Sequence, residues 1–144
     1  VVAYSFQKQF ADPILAGRKR QTLRNDRKRH TRPGETLQLY TGMRTKHCRL
    51  IGLATCERVE AITFDFARNR AVTNLGELSR WEELQRFAAG DGFGNWTELK
   101  AFWRKHHPDI GDTWSGVQIT WGSSFRLPLG LASADHHTEG TSNV

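Results

Sequence analysis

The residues best suited to chemistry lie in one short run, Gly17-Arg18-Lys19-Arg20-Gln21-Thr22-Leu23-Arg24. Side chains of an extended chain alternate between two faces, so Arg20, Thr22 and Arg24 share one and Gln21 and Leu23 the other. Leu23 suits a core, which leaves a hydroxyl flanked by guanidiniums on the opposite side. Lys19 follows the turn at Gly17 and can swing toward that same face. Such a set suits an anionic or carbonyl-bearing ligand. The same residues also describe a cationic edge strand, because Lys and Arg protect sheet edges from unwanted pairing.

Other reactive types are less well arranged. Cys48 and Cys56 lie eight residues apart on one predicted strand, roughly 26 Å at strand rise, so buried free thiols are expected rather than a disulfide. His106-His107 closes a predicted helix, where a cation complements the dipole, and no further ligands at zinc-like spacing accompany it. His136-His137 lies near the C-terminus without supporting donors. No metal or dinucleotide motif is present, and no cofactor is expected. The five tryptophans are read as core and helix–sheet packing.

Charge adds a second pointer. The first 72 residues carry 15 basic and 6 acidic side chains, the remaining 72 carry 6 and 9. Eight of the 21 basic residues fall between Arg18 and Arg32, against the single acid Asp26. That asymmetry fits a polyanionic partner, with Arg27, Lys28, Arg29 and Arg32 placed to engage phosphates, and it equally fits a solvated loop.

The elements that must position these residues follow from periodicity. Alternation predicts strands over Ala3–Gln9, Arg20–Arg24, Thr36–Thr41, Arg49–Val59 (one strand, or two joined by a bulge at Gly52), Ala71–Asn74 and Thr113–Trp121, the last buried on one side. Ala11–Ala16 suits a helical turn ended by Gly17. Leu78, Trp81, Leu84 and Phe87 at three-residue steps predict a helix over Glu77–Ala88. Asn95, with Glu98 three residues on, caps a second helix that Pro108 stops. At 144 residues, with 38% hydrophobic and 25% charged side chains, one packed domain is expected and wholesale disorder is excluded. No apolar run reaches the ~20 residues of a membrane span, the start lacks a signal-peptide pattern, and the absent initiator Met suggests a processed or trimmed N-terminus; a soluble cytoplasmic protein is expected. Residues 123–144, with a small apolar cluster of Phe125, Leu127, Leu129 and Leu131, read as a flexible C-terminal tail.

The pattern Phe6-x3-Phe10-x3-Ile14-x2-Gly17-x-Lys19-x2-Thr22-x-Arg24 resembles the opening of the ASCH domain family, a PUA-like group. Gly34-Glu35-x-Leu37-x-Leu39-Tyr40, then Asp91-Gly92-Phe93, Trp96 and Phe102-Trp103 extend the likeness to Trp121. It implies an α+β fold over residues 1–122: a small curved antiparallel sheet or β-barrel with flanking helices and a cleft for RNA or a nucleotide. Lys19, Arg20, Thr22, Arg24, Arg27, Lys28, Arg29 and Arg32 would make the binding face. Some members of that family deacylate N4-acylated cytidine with a Lys, a Thr and a Glu. The resemblance puts Lys19 and Thr22 on the first two positions and Asp91, one methylene shorter, on the third. In that second reading Thr22 is the nucleophile and Lys19 its base, and Asp91 orients Lys19 or protonates the leaving amine. Crowding by Arg18, Arg20 and Arg24 lowers the lysine pKa while a nearby carboxylate raises it, and the sequence does not decide between them.

Overall fold

The computed structural model describes residues 1–128. Its clearest strand is the one with the cleanest alternation: Thr36–Thr41 buries Leu37 and Leu39 and forms β3, the middle of a three-stranded sheet. β1 (Val2–Phe6) runs parallel to β3, and β4 (Arg49–Thr55) runs antiparallel. Register slips between Leu39, opposite Gly52, and Tyr40, opposite Leu50, so Ile51 is the extra residue of a bulge beside Gly52.

The second sheet has five antiparallel strands in the order β2 (Gln21–Arg24), β8 (Thr113–Thr120), β5 (Arg58–Asp65), β6 (Arg70–Thr73) and β7 (Gly76–Leu78). The predicted strand Arg49–Val59 is thus two strands in different sheets. The α+β class holds, with two corrections. The first sheet is mixed because β1 and β3 are parallel, and among the described residues no strand pairing closes the sheets into a barrel.

Three helices flank the sheets: α1 (Ala11–Leu15), α2 (Trp81–Gly90) and α3 (Trp96–His106). α2 starts later than the spacing of apolar residues predicts. Leu78 pairs with Ala71 in β7, and the carboxylate of Glu83 accepts from the backbone N–H groups of Ser79 and Arg80, fixing the helix start just after them. α3 begins as expected, with Asn95 Oδ1 accepting from Glu98 N at 2.9 Å, although the Glu98 carboxylate bonds Gly94 N instead of returning to the cap.

Two apolar cores result, and β8 serves both. Its Trp114 end packs with Phe64, Leu84, Trp96 and Trp103 beneath α2 and α3. Ile119 and the following Trp121 pack with Tyr4, Phe6, Ile14 and Leu39 under the first sheet. The strand is therefore buried on different faces at its two ends, not on one side. Cys56 is buried, whereas Cys48 is exposed, contrary to the expectation of two buried thiols; both are free. Trp81 is the exception among the tryptophans, more than half exposed. The segment after Trp121 docks on β4: Ser124 Oγ accepts from Thr55 N, and Leu53 and Arg126 exchange backbone bonds. Leu129, Leu131 and His136-His137 lie outside the described residues. Among those described, no helix is long and apolar enough to cross a membrane.

Candidate functional site

The site is assembled by two turns. After α1, the carbonyl of Pro13 accepts from both Arg18 N and Lys19 N while Gly17 takes a φ of 78°, which reverses the chain and sends Lys19 inward. Arg20 N then donates to Gly90 O at 2.7 Å, fastening this run to the end of α2. Asp91 caps α2, and Gly92, at φ 95°, turns the chain away. The two turns bring together residues 72 apart in sequence: Lys19 Nζ donates to the Asp91 carbonyl at 2.6 Å and to its Oδ1 at 3.2 Å. The lysine stem crosses Gly92 so closely that a Cβ there would lie 3.0 Å from Lys19 Cδ, and Nζ sits 4.5 Å from the centroid of Phe10.

Thr22 is buried in β2, and its Oγ1 accepts a 3.0 Å hydrogen bond from Arg24 Nε. Arg24 is itself held by donation to the Ser5 carbonyl at 2.8 Å and by the faces of Phe6 and Tyr4. Lys19, Thr22, Arg24 and Asp91 all line one cavity of about 260 Å³, walled by Phe6, Phe10, Phe93, Phe102, Trp103 and Trp114. Asp91, expected to be a methylene short, reaches Lys19 through both its carboxylate and its backbone. Arg20 is the correction. β2 begins only at Gln21, so Arg20 escapes the alternation, stays exposed and folds back onto the Gly17 carbonyl at 3.2 Å. Arg27, Lys28, Arg29 and Arg32 are exposed on the loop after β2, outside the cavity wall. Arg27 lies over Tyr4 and donates to the Arg29 carbonyl, and Arg29 reaches Glu35 at 3.4 Å.

Burial dominates the electrostatics. It pushes Lys19 below the usual lysine value; Asp91 opposes that shift and Arg24 adds to it. The exposed Arg18 and Arg20 are not among the causes, so of the crowding expected from sequence only Arg24 contributes, behind desolvation. Burial also raises Asp91 above the usual carboxylate range, against the pull of Lys19, Gln21 and Arg24. Burial thus works against the charge of both partners, and each offsets part of that cost for the other. Arg24 is lowered to about 10, mainly by burial, and stays charged at neutral pH beside the Thr22 hydroxyl. His107 is held below the usual imidazole value by burial and then by His106, which works against a positive charge at this helix end; its ring packs 4.5 Å from that of Trp103.

Several residues of the site escape a reading of the sequence. Ser5 and Phe6 of β1 and Gln7 form a wall shared with a second cavity, of about 880 Å³, lined further by Lys8, Thr41 and residues 42–49 except 43 and 44. His106 and His107 also line the smaller cavity, where Gln7 Nε2 and His106 Nδ1 approach to 3.3 Å. The adjacent histidines are a usable signal, but they read as a helix end because nothing in the sequence ties them to Lys19. Among the described residues, no group of three or more His, Cys, Asp or Glu side chains could hold a metal ion.

No family model matches the chain, and no curated protein matches it. Among solved structures, ASCH from Zymomonas mobilis is similar over 95% of this chain and 80% of that one, with 14% identity and a TM-score of 0.48. A mutant of the same Zymomonas mobilis protein is similar over 95% and 82%, with 12% identity and a TM-score of 0.46.

Proposed function

We propose that this protein is an amidohydrolase that removes an acyl group from a modified nucleoside, with Thr22 as nucleophile and Lys19 as its base. The observation that supports this is the convergence of Lys19, Thr22 and Asp91 on one cavity of about 260 Å³. That volume is just under the ~300–1,000 Å³ typical of small-molecule pockets, so it suits a single base better than a folded strand. The aromatic walls suit a planar heterocycle. In the proposed reaction, neutral Lys19 takes the Thr22 hydroxyl proton as Oγ attacks the amide carbon. The proton then passes to the leaving amine, the acyl group remains as an ester on Thr22, and water releases it as a carboxylic acid. Arg24, 3.0 Å from Oγ1, is placed to stabilise developing negative charge on that oxygen. Lys19 Nζ bonds Asp91 rather than Thr22 in the free protein, and Asp91 positions it; hydrogen bonds of this kind often tighten only with substrate bound.

Incubation with N4-acetylcytidine, following acetate and cytidine, tests the proposal directly. Turnover that Lys19→Met and Thr22→Val each remove supports it. A folded protein that leaves the substrate intact overturns hydrolysis of this substrate. A second function, binding of nucleic acid, draws support from Arg18, Arg20, Arg27, Lys28 and Arg32, which form no ion pair among the described residues. Salt-sensitive binding of single-stranded RNA without turnover would favour it.

A further inference from the structure

The larger cavity shares Ser5, Phe6 and Gln7 with the smaller one, so a ligand whose base sits beside Lys19 has a path across that wall. The groove beyond is lined by Lys8, Lys46, His47 and Arg49 and by no carboxylate. Lys8, Lys46 and Arg49 form no ion pair among the described residues, whereas Arg58 and Arg70 on the other sheet, and Arg68 in the turn between β5 and β6, are all matched with Glu60, Asp65 or Glu77. Like charges left unmatched around one concave wall repel each other and focus a positive potential into it. The wall is also built, since its loop is fixed by its own bonds. Thr45 Oγ1 donates to the Gly42 carbonyl at 2.7 Å and accepts from His47 N, and Met43 N donates to Ser5 Oγ on the shared wall. Gly42 takes a φ of 64°, and a Cβ there would lie 2.8 Å from the His47 carbonyl, so the loop closes only around glycine.

We infer that this groove is a phosphate subsite, and that the substrate of the neighbouring cavity carries a phosphate, as the monoester of a free nucleotide or the diester of a strand. The inference rests on the nucleoside-deacylating function proposed above. Its groove is more than three times the volume of the base cavity, which leaves room for a sugar and its phosphate. Lys8 brings charge from the turn after β1, Lys46 from the loop before β4 and Arg49 from the first residue of β4, so the phosphate is held from two sides.

The test compares kcat/KM for N4-acetylcytidine, its 5′-monophosphate, and a short RNA containing one N4-acetylcytidine, using the full chain. At low salt the phosphate-bearing substrates should be favoured about tenfold, an advantage that shrinks as salt rises. Which of the two gains identifies the source of the phosphate. Lys46→Gln with Arg49→Gln should bring the ratio near one, while Arg86→Gln, exposed on α2, should leave it unchanged. A parent ratio of one, or a ratio that survives the double substitution, overturns the subsite. If no substrate is turned over, the hydrolytic function fails, and the subsite is then read by equilibrium binding of cytidine 5′-monophosphate against cytidine with the same variants. Equal affinities there overturn it independently.

Discussion

Removing one partner of the Lys19–Asp91 pair should destabilise the protein in a way whose pH dependence reverses with the partner removed. Both side chains are almost fully buried, so the survivor is left as a lone ionisable group in an apolar site. In Lys19→Met the survivor is Asp91, whose folded pKa burial holds above its unfolded value of about 3.9. A raised pKa means stability is complete below about pH 4 and falls as pH climbs through the folded value, by up to ~1.4 kcal/mol per pH unit. From pH 4 to pH 7 that loss is at most about 4 kcal/mol, the same size as the ~3–5 kcal/mol typical of a broken buried pair. In Asp91→Asn the survivor is Lys19, with a folded pKa below its unfolded value of about 10.4. Here stability is complete above that value and falls as pH drops through the folded one. Urea or thermal unfolding of both variants from pH 5 to pH 9 should therefore give slopes of opposite sign. Melting temperatures should drop by about 10–15 °C where each variant is weakest. Slopes of the same sign, or losses under ~1 kcal/mol throughout, would refute the idea that desolvation governs this pair.

Thr22→Val keeps a β-branched side chain but deletes the hydroxyl, so deacylation should fall at least about 1,000-fold, while the melt shows a loss of ~1–2 kcal/mol from the unmatched Arg24 Nε. Asp91→Glu should give no gain in rate: Asp91 already reaches Lys19, and the extra methylene overpacks a buried site at ~1–3 kcal/mol, read by denaturation. Changing Arg27, Lys28 and Arg29 together to Gln should flatten the log K against log salt slope for single-stranded RNA by about 0.7 for each phosphate that the loop ceases to neutralise, and an unchanged slope would remove this loop from the interface.

The sequence is most legible where one physical rule acts alone. Thr36–Thr41 alternates because one face is buried, and its predicted bounds match β3. Asn95 and Gly17 mark their boundaries through a local hydrogen bond and a local φ. It is least legible where tertiary pairing overrides spacing. Leu78 fits the three-residue steps of α2 yet lies in β7, since its backbone is claimed by Ala71. Alternation places Arg20 in a strand that starts one residue later, because it does not show where pairing with β8 ends. The groove residues Lys8, Lys46 and Arg49 give no sequence signal because they are scattered along the chain, while of the dense basic run only Lys19 and Arg24 reach a cavity and Arg27, Lys28, Arg29 and Arg32 sit on a loop outside. For the lysine, the sequence sets Arg crowding against the pull of Asp91 without deciding between them; burial decides it, and burial does not show in sequence.

The pairing of β2 with β8 sets a timetable for the chain. β2 lies at the edge of its sheet with β8 as its neighbour, so the strand that carries Thr22 acquires its place only once Thr113–Thr120 has been made. At about 5–20 residues per second, translation leaves Thr22 waiting roughly 5–20 s for that partner. Through this interval β2 lacks its pairing partner, so the backbone groups of Gln21–Arg24 must bond to water. The chain therefore carries its cationic segment well before it makes β8, the strand that fixes Thr22 in the sheet.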